Sequence, residues 1–463
     1  MAALAVTPTE IPGLLLVDLD VRGDNRGWFK ENWQRRKMVD LGLPDFGPVQ
    51  NNVSFNTTAG ATRGIHAEPW DKLVSVATGR IFGAWVDLRR GDGFGRCVTY
   101  ELGPDQAVYV PRGVGNAFQT LVDGTAYSYL VNAHWSAAAR DSYTFLNLAD
   151  DTVAIPWPIP LGSAELSEAD RAHPRLADVR PMAPPRTLVI GAGGQLGQAL
   201  VGAWPDATGV RRDAIDLADP ASVAGFDFDP FGVVVNAAAH TQVDAAETPE
   251  GRRDAWAANA TGVAALVAAA REHRFTLVHV STDYVFDGTA EVHDEAEPVS
   301  PLGVYGQSKA AGDAVVSTLP AHYLIRTSWV IGAGHNFVRT MAGLADRGVE
   351  PRVVDDQFGR LSFTDEIVRA IDHLLLVKAP YGTYNVSNGG DPMSWAEIAR
   401  TVFAARGREP EAVRGVSAAE YGAGKSLAPR PRNSTLDLAK LTATGFRPIP
   451  ARRRLQEYLA GLG

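Results

Sequence analysis

The chain has 463 residues, more than one ordinary hydrophobic core supports, so its length points to two or three domains. Hydrophobic residues make up 45% and charged residues 21%, and no run of roughly eighteen apolar residues occurs, which argues against a membrane-spanning helix and a membrane partner. A net charge of -9 with dispersed Lys and Arg argues against nucleic acid as a partner, and the single Cys97 excludes an internal disulfide.

The N-terminus MAALAVTPTE lacks the basic start and long apolar stretch of a secretory signal, so a reducing, cytoplasmic location is expected. From Gly13 to about Trp157 the chain consists of short runs rich in Val, Tyr, Phe and Trp. "KLVSVATG", "IFGAWVDL", "CVTYEL" and "AVYVP" are separated by Gly, Asp and Pro at roughly ten-residue intervals, which predicts an antiparallel sandwich or barrel. The proline-rich "RPMAPPR" then reads as a linker, giving a first domain over 1–178, a linker over 179–186 and a second domain over 187–463.

Beyond the linker, "TLVIG", "VVVNAAA", "LVHVS", "YLIRTS" and "GTYNVS" alternate with Ala-rich helical stretches. Unbroken apolar strands of this kind suit a parallel sheet covered on both faces, a doubly wound α/β fold. The spacing Gly191-x-x-Gly194-x-x-Gly197 follows the first of these strands. It suits either a plain tight strand-helix turn or a turn that lets backbone and a helix N-terminus approach a pyrophosphate, with Gln195 and Leu196 opening the helix. Ala237, Ala238 and Ala239 leave room for a flat cofactor. In "GVRRDAIDL", Arg211 and Arg212 stand near the end of the second strand, ahead of Asp216 and Leu217; arginines there accommodate a 2'-phosphate and favour NADPH over NADH, unless they are simply solvated. Tyr305 precedes Lys309 by one helical turn in "YGQSK". The pair is either a surface pair or an acid for carbonyl reduction, in which the ammonium lowers the phenol's pKa.

With "GAGGQLG", "VVNAAAHTQVDAAE", "STDYVFDG", "YGQSK", "RTSWV", "NFV" and "DQFG" in that order, residues 186–463 resemble dTDP-4-dehydrorhamnose reductase, an extended short-chain dehydrogenase/reductase with a Rossmann-type fold and a small substrate-binding part. The resemblance implies Thr282, Tyr305 and Lys309 as the catalytic trio and substrate contacts near Arg326 and Trp329, although Trp329 also suits a core position. Asn259 is read as a helix-packing residue. "GRLSF" at 359–363 departs from the family's Pro-Thr pair.

"DNRGWFKENW", "VQNNVSF", "RGIHAEPWDKLV", "VDLRRG" and "LSEADRAHP" resemble dTDP-4-dehydrorhamnose 3,5-epimerase, a cupin-type jelly roll, over roughly residues 10–178. The resemblance implies His66 as base with Asp170 as its partner, Lys72 to stabilise an enolate and Tyr129 to return a proton. It also implies substrate contacts from Arg26, Glu31, Gln50, Asn52, Arg63 and Asn116, with Arg26 and Glu31 reaching across a subunit boundary in a homo-oligomer, a dimer through this domain. Epimerisation beside a ketone needs such a base, an enolate stabiliser and an acid on the opposite face. A metal is not expected, because "RGIHAEPWDK" supplies only one histidine. Departures from the family are a short loop between His66 and Lys72, Gly83 in place of an aspartate, and Asn116 in "VGNAF" in place of a histidine.

Together the two halves imply a fusion of successive enzymes that epimerises dTDP-4-dehydro-6-deoxyglucose and then reduces it with NADPH to dTDP-L-rhamnose. The competing readings are another deoxysugar pathway, with a single-site epimerase or ketoisomerase barrel, and a non-catalytic NADP-binding subunit.

Overall fold

The computed structural model describes residues 3–136 and 138–462. The chain divides into two compact units, Met1–Pro184 and Pro185–Gly463.

The first unit is built from two antiparallel sheets. One runs, edge to edge, Ala5–Pro8, Leu15–Asp18, Gln106–Val110, Lys72–Thr78, Thr125–Val131, Gln50–Asn56; the other runs Thr144–Phe145, Thr62–Ala67, Val114–Thr120, Ile81–Asp87, Cys97–Leu102. Between them lies a core that includes Val74, Val76 and Val108 from the first sheet and Ile81, Trp85 and Phe118 from the second. The outer faces are covered as well. Leu73, Ala107 and Tyr109 pack under Met38 and Phe46, while Ile65, Val86 and Ala117 pack under Leu146, Leu148 and Val179. Covering on both faces explains why these strands read as nearly continuous apolar runs instead of alternating ones.

Gly83, where the related family has an aspartate, has a packing reason: a Cβ there would lie 2.3 Å from the buried Trp85 ring. Within the segment 179–186, expected as a linker, Val179 is buried and Met182 is tied to the first unit, whereas Arg180 and residues 183–186 are exposed. Met182 bridges to Arg89, its N–H donating to Leu88 O at 2.8 Å, and the next strand already begins at Arg186.

The second unit carries a six-stranded sheet in the order Thr208–Val210, Arg186–Ile190, Phe231–Asn236, Thr276–Thr282, His322–Thr327, Gly382–Val386, with every neighbouring pair parallel. Successive strand residues point to opposite faces. Leu188, Ile190, Val234, Leu277 and Leu324 therefore enter one core, and Val189, Val235, Val278, Tyr323 and Ile325 enter the other. A third core, built on helices Phe337–Asp346, Trp395–Ala405 and Ala451–Ala460, forms the smaller part of this unit. The strand order reverses between Arg186–Ile190 and Phe231–Asn236, and in open α/β sheets the crevice at the carboxyl ends of such strands is where ligands bind.

Candidate functional sites

In the first unit a cavity of about 930 Å³ gathers Arg63, His66, Lys72, Asn116, Tyr129 and Asp170. Strand Thr62–Ala67 delivers Arg63 and His66, which lie three residues apart and would point to opposite faces of a regular strand. The pairing register shifts here: Phe118 opposes Arg63 but Asn116 opposes His66, and this irregularity lets both side chains line one cavity. Ser167 caps the short helix Glu168–Arg171, its hydroxyl accepting from the Asp170 N–H at 3.1 Å, and so aims the Asp170 carboxylate inward.

Asp170 Oδ1 meets His66 Nε2 at 2.9 Å. Burial pushes the Asp170 carboxyl up, but the hydrogen bond and charge of His66, with Ser167, hold it below the ordinary carboxylate range. With Nε2–H donating to Asp170, His66 keeps its lone pair on Nδ1. Lys72 is buried in an ion pair with Glu68, a residue the sequence reading passed over. Burial raises the Tyr129 phenol, the charge of Glu68 raises it further, and Arg63 opposes. Asn116 Oδ1 accepts from Tyr127 at 3.1 Å, and the Tyr127 ring stacks on Phe118.

One expectation needs correction here. His173, two residues beyond the same short helix, adds a second histidine: donor atoms of His66, Asp170 and His173 lie within 4.8 Å of one another, so the single-histidine ground for expecting no metal does not hold in three dimensions. Arg26, Glu31, Gln50 and Asn52 do not line this cavity. Arg26 is exposed and paired with Asp24, Glu31 pairs with Lys37, and Gln50 donates to Asn52, whereas it is the far end of that edge strand, Ser54 to Asn56, that lines the cavity.

In the second unit a cavity of about 920 Å³ is lined by Gly191, Gly194, Gln195, Leu196, Arg211, Arg212, Asp216, Leu217, Ala237, Ala238, Ala239, Thr282, Tyr305, Lys309 and Trp329. Gly191 has φ +84°, and a Cβ there would lie 2.8 Å from the Ala238 N. Gly197 lies behind the turn instead of on the cavity: its Cβ would lie 2.1 Å from Gly191 O, so its role is close helix–strand packing. The helix Gln195–Ala203 points its N-terminus into the cavity with no side-chain cap, a ready site for a phosphate. The Gln195 side chain also accepts from the Gly332 N–H at 2.9 Å. Glycines without room for Cβ, an uncapped helix start and two arginines lining the same cavity, Arg211 against Gly193, fit an NADP-type dinucleotide.

Helix Val304–Val316 places Tyr305 and Lys309 one turn apart, facing strand Thr276–Thr282. The Tyr305 hydroxyl is hydrogen-bonded to Thr282. The expected lowering of the phenol does not occur. Burial pushes Tyr305 well above its ordinary value, with Asp283 and Asp313 adding to the rise against the Thr282 hydrogen bond. Lys309 is the shifted partner, brought down to about 8 by burial against the opposing charge of Asp313. Its Nζ donates to Val280 O at 2.7 Å and lies 3.3 Å from His279 Nε2. Sequence reading missed His279; the available signal was a histidine inside an otherwise apolar strand, "LVHVS".

Asn259 is a packing residue in the π-helical turn Ala257–Thr261, clasping the His240 backbone through both its donor and its acceptor and donating to Ser308. Trp329 lines the cavity and stacks on Trp395 at 3.8 Å, whereas Arg326 is buried against Asp313 and Phe286, away from the cavity. "GRLSF" is a packed connection: Ser362–Phe363 pairs with Val330–Ile331, and Arg360 donates to Gly390 O and Leu436 O. A further cavity of about 710 Å³, sharing Tyr284 and Trp395 with the first, adds Arg352, Lys425, Arg430 and Tyr421.

Comparison with known proteins matches residues 185–463 to the family model described as RmlD substrate binding domain, and residues 8–178 to that of dTDP-4-dehydrorhamnose 3,5-epimerase. The first unit is similar to a Streptococcus pyogenes protein named RmlC homolog, 51% identical over 180 residues, or 38% of this chain and 90% of that protein. The second is similar to the dTDP-4-dehydrorhamnose reductase of Aggregatibacter actinomycetemcomitans, 36% identical over 294 residues, or 59% of this chain and 98% of that protein. A crystal structure of the Bacillus anthracis dTDP-4-dehydrorhamnose reductase in complex with NADP superposes with a TM-score of 0.55 at 32% identity, covering 60% of this chain and 99% of that one. The chain therefore belongs to the RmlD substrate-binding-domain family through its second unit and to the dTDP-4-dehydrorhamnose 3,5-epimerase family through its first.

Proposed function

We propose that the chain is a bifunctional enzyme of dTDP-L-rhamnose biosynthesis, which epimerises dTDP-4-dehydro-6-deoxyglucose at C3 and C5 and then reduces the C4 ketone with NADPH. The observation that carries this reading is that each unit assembles the groups its own step requires, from residues distant in sequence, around one cavity.

In the first unit His66 Nδ1 takes a proton from the carbon beside the ketone while Asp170 steadies the imidazolium that forms. Lys72 holds the negative charge that develops on the enolate oxygen, and Tyr129 returns a proton. Asn116 keeps the acceptor role for Tyr127 but carries no proton at neutral pH.

In the second unit the glycine turn and Ala237–Ala239 would hold NADPH, which would supply the hydride. Tyr305 donates its proton to the ketone oxygen, Thr282 orients that oxygen by hydrogen bonding, and the Lys309 ammonium offsets the phenolate left behind. Arg211 and Arg212 take the 2'-phosphate. The adjoining cavity holds the nucleotide part of the substrate, with Lys425 and Arg430 toward the diphosphate and Tyr421 toward the base. Tethering raises the local concentration of the reactive epimerised ketone at the second site.

The first unit pairs with a second copy of itself. Trp28, Phe29, Val53 and Phe55 are exposed on the hairpin and on the open edge strand Gln50–Asn56, and an open strand edge is completed by another strand. In that dimer Arg26 and Glu31 reach the partner's cavity. Light scattering that gives a monomer at micromolar concentration would remove this arrangement. No helix among the described residues is long and apolar enough to cross a membrane, and a lone free thiol at Cys97 suits the cytoplasm.

NMR analysis of the product formed from dTDP-4-dehydro-6-deoxyglucose and NADPH tests the whole reading. dTDP-L-rhamnose is expected; a product epimerised at only one carbon favours the related deoxysugar pathway, and no turnover favours a non-catalytic subunit.

A further inference from the structure

The side chain beneath Lys309 has its proton position set by a chain of contacts that begins in the backbone. Asn236, at the end of strand Phe231–Asn236, accepts the Ala238 N–H on Oδ1 at 3.1 Å. That contact fixes which way the amide points and turns its Nδ2 donor to His279 Nδ1 at 3.0 Å. A ring nitrogen receiving an N–H must offer a lone pair, so the neutral imidazole carries its hydrogen on Nε2. Nε2 is the atom that lies 3.3 Å from Lys309 Nζ. His279, Asn236 and Lys309 are all fully or almost fully buried, so water does not rescue a mismatched contact.

We propose that His279, held by Asn236 in its Nε2–H tautomer, is a positioning residue that presents an N–H to Lys309 and thereby favours the neutral amine over the ammonium. The inference rests on the reductase reading above and adds a partner to the site. An ammonium has three donors and no acceptor, so facing Nε2–H it makes a donor–donor contact, whereas the neutral amine accepts that hydrogen. The other charged and titratable groups around Lys309 are Tyr305 and Asp313 on its own helix, Asp283 just beyond strand Thr276–Thr282, and Arg326 on the neighbouring strand, which is paired with Asp313. Asp313 supports the ammonium, and burial together with the His279 N–H opposes it. Burial also keeps His279 itself neutral, with the charge of Lys309 acting in the same direction.

The consequence for turnover concerns the phenolate that Tyr305 leaves after protonating the ketone oxygen. A lysine easily deprotonated returns a proton to it: the Lys309 N–H bond breaks, the Tyr305 O–H bond forms, and the neutral amine takes the His279 Nε2–H as a hydrogen bond. Solvent water restores the lysine proton when product leaves.

Ring-labelled ¹⁵N NMR of the full chain, with and without NADP⁺, should show His279 as the neutral Nε2–H tautomer between roughly pH 6 and 9. Asn236→Asp gives Nδ1–H an acceptor, reverses the tautomer and presents a lone pair to the ammonium. This variant, and more weakly His279→Leu, should move the Lys309 side-chain titration and the basic limb of reductase kcat/KM upward by roughly half a pH unit or more. A wild-type Nδ1–H tautomer, or an unmoved Lys309 titration in both variants, overturns the proposal. If either variant does not fold, the wild-type tautomer decides alone. Loss of wild-type turnover on epimerised substrate would instead sink the reductase reading, while the tautomer remains observable.

Discussion

Asp170 and His66 are 104 residues apart in the chain and 2.9 Å apart in the structure, and the first unit's chemistry depends on that contact. Asp170→Asn retains a polar side chain but removes the charge that steadies the imidazolium. Solvent deuterium incorporation at the ring carbons beside the ketone should fall by roughly 10²-fold or more, the usual range for a disabled acid–base group. His66→Ala should abolish it, and both variants should still reduce substrate epimerised by a separate enzyme. Undiminished exchange in His66→Ala would remove it as the base.

Tyr305→Phe removes the donor hydroxyl bonded to Thr282 while keeping the ring. NADPH oxidation should stop, and deuterium should continue to enter the sugar through the first unit. Reductase turnover at the wild-type rate would remove Tyr305 from the acid role.

Replacing both Arg211 and Arg212 with Ala should weaken NADPH by roughly 10- to 100-fold, from about 1.5 to 3 kcal/mol for a lost charge-assisted contact. NADH should change little. Titration calorimetry with the two cofactors gives the comparison, and equal losses would show that these side chains do not read the 2'-phosphate.

Gly83→Ala tests whether the missing carboxylate is a packing matter, since the added Cβ would lie 2.3 Å from the Trp85 ring. The expected cost is about 1–3 kcal/mol of overpacking strain. In a Trp85→Leu background the same change should cost less, and a double-mutant cycle by denaturant unfolding measures the difference. Additive costs would separate Gly83 from Trp85.

Lys309 offers a pH test of stability without substrate. Its folded pKa, about 8, lies below the ordinary 10.5, so between those values the unfolded chain binds more protons and stability rises with pH. Below about pH 8 the penalty of burying the ammonium is fully present. Lys309→Met should therefore stabilise the ligand-free protein at pH 7 by about 1–3 kcal/mol, at 1.4 kcal/mol per pKa unit, and lose that advantage toward pH 10. Calorimetric unfolding at the two pH values checks this; a gain that grows with pH would reverse the sign.

What the sequence determined by itself was whatever depends on neighbours along the chain. Short strands between closely spaced turn residues distinguished an antiparallel unit from one whose strands alternate with helices, the glycine spacing marked a turn after Ile190, and the Tyr305–Lys309 spacing required one helical face. Only the tertiary structure decided contacts between distant segments. The register shift opposite Asn116 turns Arg63 and His66 into one cavity, and the short helix after Ser167 brings in Asp170, with His173 just beyond its end. Trp85 claims the space that Gly83 leaves open. Burial reverses the pKa logic at Tyr305, because the spacing showed a lysine one turn away but not the desolvation that pushes the phenol up. The proton on His279 depends on an Asn236 amide oriented by a backbone N–H two residues further on, a direction that exists only once strands Phe231–Asn236 and Thr276–Thr282 lie side by side.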